Sequence, residues 1–119
     1  MNFILIAAPL TGVVALLFAF YKASTINKVS PGNDRMKEIS TYIQEGAMAF
    51  LSRQYKSLAI FIVLLFIVLA LLINITTAIT FLFGAAFSIL AGYFGMKVAT
   101  KANVRTANAA MESGMTKAL

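Results

Sequence analysis

The chain has 119 residues, of which 61% are hydrophobic and only 12% charged. A soluble domain carries about 25% charged residues, so this sequence lacks the polar surface to face water all round, and lipid is its expected solvent. Ten Lys and Arg against four Asp and Glu give a net charge of +6, an excess that membrane proteins collect on their cytoplasmic side and that needs no nucleic acid to explain it. The absence of Cys and His excludes disulfides, thiolate metal sites and the commonest general base.

Asn2 to Tyr21 is an uncharged run of 20 residues. As a helix it rises about 30 Å, the thickness of the hydrocarbon core. Pro9 and Gly12 lie within it, and membrane helices accept both because neighbouring groups re-satisfy the freed backbone. A cleaved signal peptide needs a basic first segment, yet no Lys or Arg precedes Lys22. A retained first helix over about 2–21 is therefore expected.

Residues 22–33 are polar and read as a cytoplasmic loop. Ser30-Pro31-Gly32-Asn33-Asp34 is a strong turn, because Pro presets φ, Gly allows positive φ, and Asn or Asp caps a helix. A second helix is predicted over 34–73. Asp34 and Glu38 then fall near the positive end of its dipole.

Residues 35–56 repeat Met36, Ile39, Ile43, Ala47 and Phe50 at three- and four-residue spacing, which predicts one apolar helix face. Arg35, Lys37, Glu38, Glu45 and Arg53 occupy other positions. This stretch reads as a water-side extension of the second helix. Ser57 to Met96 is then free of charge. As one helix its 40 residues would reach about 60 Å, twice the bilayer core, so it must turn back. Its polar cluster Asn74-Ile75-Thr76-Thr77 predicts a turn over 74–77. The membrane-crossing parts are then 56–73 and 78–96.

The third helix is predicted over 78–112, with Ser113-Gly114 as its stop. Gly84, Ser88 and Gly92 recur every four residues, as do Ala91, Gly95 and Ala99. Small residues at this spacing let backbones approach in lipid, so this helix is expected to face other protein. The second, rich in Leu, Ile, Val and Phe, is expected to be more peripheral.

Six basic residues lie between Lys22 and Lys56, and four between Lys97 and Lys117. Two crossings separate these groups, which puts both on one face. The positive-inside rule makes that face cytoplasmic, with the N-terminus out and the C-terminus in. The fold class is thus all-α, with three transmembrane helices in a multi-pass membrane protein, set in the cell membrane if the source is prokaryotic.

No set of residues carries chemistry unaided. Asp34, Glu38, Glu45 and Glu112 are the only carboxylates, and they are too scattered to converge on a metal. Catalytic, cofactor-binding and metal-binding residues are therefore all read as none. Lys97, Lys101 and Arg105 place three cations on one helix face. They could attract a phosphate compound or lipid headgroup, although an ordinary charged membrane flank also explains them.

Two stretches resemble a known family. Gly32-Asn33-Asp34-Arg35-Met36-Lys37-Glu38-Ile39, Ile43-Gln44-Glu45-Gly46-Ala47, Phe50-Leu51 and Arg53-Gln54-Tyr55 resemble the start of the second helix of membrane-bound inorganic pyrophosphatases. Gly92-Tyr93-Phe94-Gly95-Met96-Lys97-Val98-Ala99-Thr100-Lys101-Ala102-Asn103-Val104-Arg105-Thr106-Ala107 resembles the third. The resemblance covers essentially the whole chain. It implies a homodimeric, magnesium-dependent pump that hydrolyses pyrophosphate on the cytoplasmic side and moves protons or sodium ions outward. Such pumps are far longer, and their substrate-binding residues lie on later helices. The chain then reads as an N-terminal portion, inactive alone, whose partners are lipid and the remaining helices. The alternative is a small stand-alone membrane scaffold or accessory subunit without enzymatic activity.

Overall fold

The computed structural model describes residues 2–118. Three long helices, α1 (Asn2–Lys28), α2 (Asp34–Leu72) and α3 (Ile75–Ser113), precede a four-residue α4 (Met115–Ala118). All three long helices are long and apolar enough to cross a membrane, and no strand occurs among the described residues.

The first helix continues past Tyr21 to Lys28, so most of the expected 22–33 loop is helical. Polarity alone does not end a helix. Residues 22–28 contain neither Gly nor Pro, and Thr25 satisfies its hydroxyl by donating to the Tyr21 carbonyl at 3.0 Å. The chain leaves the helix only at Val29–Asn33, where Pro31 disfavours helical geometry in the residue before it. Pro9 is accommodated inside α1.

Gly32 adopts φ +86°, a left-handed conformation that costs other residues about 1–2 kcal/mol. Its N–H donates to Ser30 Oγ at 3.2 Å. Asn33 then caps α2: its Oδ1 accepts from Met36 N at 2.9 Å, and its carbonyl accepts from Lys37 N at 3.1 Å. This is the side-chain and backbone pairing that the first helical turn requires.

Between α2 and α3 only Ile73 and Asn74 are non-helical, so the expected turn over 74–77 is shorter. Asn74 is the reason. Its Oδ1 accepts from Thr77 N at 2.7 Å and its carbonyl accepts from Ala78 N at 3.2 Å, which draws Ile75, Thr76 and Thr77 into the helix. On the other side, Ile73 N and Asn74 N both donate to the Leu69 carbonyl. At the far end of α3, Gly114 has φ +77° and donates to the Ala110 carbonyl at 3.1 Å, the glycine stop that the sequence implied.

The chain divides into two compact units, one formed by residues up to Lys37 with those from Lys101, the other by Glu38–Thr100. The second is a helical hairpin of α2 and α3 residues, in which Leu51, Ile62 and Ala78 are buried. Its seam corrects the expected apolar face of residues 35–56. Ile39, Ile43 and Phe50 are 44%, 40% and 59% exposed, whereas Ser40 and Leu51 are buried, with Gln44, Ala47 and Met48 half-buried. Small and polar side chains allow a close approach, and Gln44 Nε2 donates to Ser40 Oγ at 3.0 Å, which removes much of the penalty of burying them.

Among the described residues the small-residue face of α3 makes one close approach. Only Gly92 meets a neighbour, with Tyr55 Oη 3.5 Å from where its Cβ would be; Gly84 and Gly95 border open space. The apolar windows of α2 and α3 are each 6% buried, so within this chain neither helix is the more peripheral.

Candidate functional site

The α1–α2 connection and the last part of α3 form the most specific polar arrangement in the first unit. Arg105 donates from Nε to the Val29 carbonyl at 2.9 Å and from an Nη to the Lys101 carbonyl at 2.7 Å. A guanidinium can bridge two acceptors because its five donors are fixed in one plane. Three residues on, Asn108 is 2% exposed and lies against Gly32, whose missing Cβ would come 2.7 Å from Asn108 Oδ1 and 2.6 Å from Met36 Sδ. Among the described residues that oxygen is buried without a hydrogen-bond partner. The Gly32 Cα–H directed at it is a weak donor.

Arg105 is thus a backbone clasp as well as a cation. Lys97 lies in the other unit, its Nζ 5.7 Å from the Tyr93 ring centroid, a cation–π distance. Lys101 is half-buried. On α1, Lys22 Nζ sits 5.5 Å from the Phe18 centroid. Long cationic chains lying on aromatic rings are the usual furniture of a membrane–water boundary.

The carboxylates are dispersed. Asp34 pairs with Lys37 at 3.1 Å, and Glu38 accepts from Tyr42 Oη at 2.9 Å. Glu45 and Glu112 are exposed. No group of three acidic or other metal-ligating side chains occurs among the described residues. The described residues do not fit a magnesium site.

In the second unit, α2 and α3 leave an open crevice of about 400 Å³, lined by Phe50, Leu58, Phe61, Phe81 and Met96 among others. Tyr55 crosses beside it and donates to the Ile89 carbonyl at 3.1 Å. Sequence reasoning missed Tyr55, Val29 and Asn108 as contact residues. The Pro-Gly turn flagged Gly32, but nothing local to Asn108 marks it.

The comparisons with known proteins agree with this all-helical membrane architecture. The family model described as inorganic H+ pyrophosphatase matches residues 13–119. A Clostridium tetani protein, assigned by its name to the K(+)-stimulated pyrophosphate-energized sodium pumps, is 54% identical over 95% of this chain and 17% of its own length. A K(+)-insensitive pyrophosphate-energized proton pump of Methanosarcina mazei is 42% identical over 100% of this chain and 18% of its own. A K(+)-stimulated pyrophosphate-energized sodium pump of Thermotoga maritima is 47% identical over 82% of this chain and 14% of its own. The chain therefore spans less than one-fifth of the length of these relatives. With three helices able to cross a bilayer and a family match over most of its length, this multi-pass membrane chain belongs to the inorganic H+ pyrophosphatase family.

Proposed function

We propose that this chain is the N-terminal three-helix portion of a pump that couples pyrophosphate hydrolysis to outward movement of protons or sodium ions. The observation that carries the reading is the family match over residues 13–119 joined to relatives several times longer that are named as such pumps. In this reading the chain supplies no catalytic residue. Magnesium and pyrophosphate are held elsewhere in the complete protein, which works as a homodimer in lipid. The N-terminus lies outside and the C-terminus inside, with the basic segments on the cytoplasmic flank.

The test is a chimera in which residues 1–119 replace the matching portion of the Clostridium tetani relative. Magnesium-dependent phosphate release and ion uptake into vesicles are expected from the chimera, and neither from the 119-residue chain. An inactive chimera beside an active parent pump overturns the proposal.

A further inference from the structure

Two of the uncharged runs end in the same way. Asn2 to Tyr21 gives way to Lys22, and Ser57 to Met96 gives way to Lys97. Both lysines are exposed, and each amine lies over an aromatic ring four residues earlier. Lys22 Nζ is 5.5 Å from the Phe18 centroid, and Lys97 Nζ is 5.7 Å from that of Tyr93. Lys22 belongs to the first unit and Lys97 to the second, so the arrangement stands independently on two helices. Four residues are about 6 Å of helix, and in both cases the ring lies on the uncharged side of the lysine. The side chain is therefore folded back toward the hydrocarbon, whereas a lysine that merely flanks a membrane helix extends its amine toward water.

An ammonium held at that depth is partly desolvated and calls for an anion. Among the described residues neither lysine forms an ion pair. The nearest carboxylates in sequence are Asp34, 12 residues after Lys22, and Glu112, 15 after Lys97, and Asp34 is paired with Lys37 at 3.1 Å. The anionic group that a bilayer itself offers at this depth is the lipid phosphate. We propose that Lys22 and Lys97 are each a binding site for the phosphate of an anionic phospholipid. The surrounding charge selects the anionic class. Lys28 follows Lys22, and Lys101 and Arg105 follow Lys97, so a headgroup that carries its own cation meets repulsion, while one without it gains from each basic residue. Of the basic face of α3, Lys97 is the member left for lipid: Arg105 directs donors to the Val29 and Lys101 carbonyls, and Lys101 is half-buried. The ring holds the amine in place, and phosphate oxygens supply the charge-assisted hydrogen bonds that a π face cannot.

The chain contains no Trp, so a single Trp reports from a single place. Phe18→Trp and Tyr93→Trp put the reporter in the ring under each amine, and Trp keeps the cation–π contact. Each variant is reconstituted in phosphatidylcholine vesicles that hold a minor fraction of brominated-chain phosphatidylglycerol, or the same fraction of brominated-chain phosphatidylcholine. Stronger quenching by the phosphatidylglycerol is expected. Lys22→Gln beside the first reporter and Lys97→Gln beside the second should each lower the relative affinity about fivefold, and Lys→Arg should keep it. Lys37→Gln removes the same charge from the water-side part of α2 and should leave both preferences intact. Equal quenching by the two lipids overturns the proposal. So does a preference that Lys37→Gln lowers as much, because net charge alone would then explain it. Loss of the preference on adding inorganic phosphate to the buffer would show a site for free anions and overturns the lipid. In the chimera described above, phosphatidylglycerol added in detergent should raise the melting temperature, and the Lys22→Gln, Lys97→Gln double variant should lose that rise. No rise, or one unchanged in the double variant, overturns the proposal, because groups in the remaining chain would then hold the two lysines. Where one of the two proteins does not assemble, the other decides. Lipid binding is read without pumping, so an inactive chimera bears on the proposed function alone.

Discussion

The hydrogen that Gly32 turns toward Asn108 is all the side chain this position can carry. A Cβ there would approach Asn108 Oδ1 to 2.7 Å and Met36 Sδ to 2.6 Å, on a backbone already at φ +86°. Gly32→Ala is expected to destabilise the protein by about 2–4 kcal/mol, joining the left-handed backbone penalty to overpacking. Asn108→Ala removes one of the crowding atoms but not the φ penalty. The double variant should therefore lose less than the sum of the single losses. Thermal unfolding in detergent measures all three; strict additivity would mean that the two residues do not touch.

Arg105 holds the same connection by its backbone. Arg105→Lys keeps the charge but cannot bridge the Val29 and Lys101 carbonyls with a planar fork. A loss of about 1 kcal/mol is expected, concentrated in the connection. Hydrogen exchange of the amides at Val29, Ser30 and Gly32 should accelerate, with those of Leu58–Ile62 unchanged. Unaltered exchange at 29–33 would remove the clasp.

The contact between Tyr55 and α3 sets a graded series at Gly92. With Tyr55 Oη 3.5 Å from the Cβ position, Gly92→Ala meets only ordinary van der Waals contact and should be tolerated. Gly92→Leu should cost about 1–3 kcal/mol by overpacking. Tyr55→Phe gives up one hydrogen bond to Ile89 and should cost about 0.5–1.5 kcal/mol. Melting temperatures that rank Leu at position 92 as mild as Ala would contradict the observed approach.

Asn74 is expected to matter through its cap. Asn74→Ala leaves Thr77 N without its partner and should cost about 0.5–2 kcal/mol, whereas Asn74→Ser retains an acceptor and should recover most of it. Equal melting points for the two variants would show that the cap contributes nothing.

Topology is tested by single cysteines at Asn27, Thr76 and Ser113. Thr76 is expected to react with an impermeant reagent from outside, and Asn27 and Ser113 only after permeabilisation. External labelling at Asn27 would invert the proposed orientation.

How much of this was legible in the sequence depends on range. The Asn33 cap, the Gly32 turn and the Gly114 stop are local chemistry, and their residues announce them. The end of α1 lies beyond the polar boundary at Lys22 because a change to polar residues marks where lipid ends rather than where a helix does. The turn is shorter than the polar cluster 74–77 because the cap of Asn74 takes the two threonines into the first helical turn. The seam of α2 was rotated because periodicity reports which face is apolar, and here the exposed face is the more apolar one. Ser40 is small enough to let the helices approach, and its hydroxyl accepts from Gln44, so a polar side chain can take the interior there. The pairing of Val29 with Arg105 spans 76 residues, beyond anything a local pattern encodes.

Two residues, Ile73 and Asn74, are all that separate α2 from α3. Fully extended they reach only about 7 Å, and neither is charged. A nascent chain therefore has no slack with which to settle α2 in the bilayer and leave α3 waiting in water. The two must partition together, and in the proposed orientation the uncharged tip is the part pulled across. Biogenesis of this segment is then a single translocation event for the pair, and Thr76→Lys, which loads a charge onto the leading tip, burdens that event even though position 76 is exposed in the finished fold.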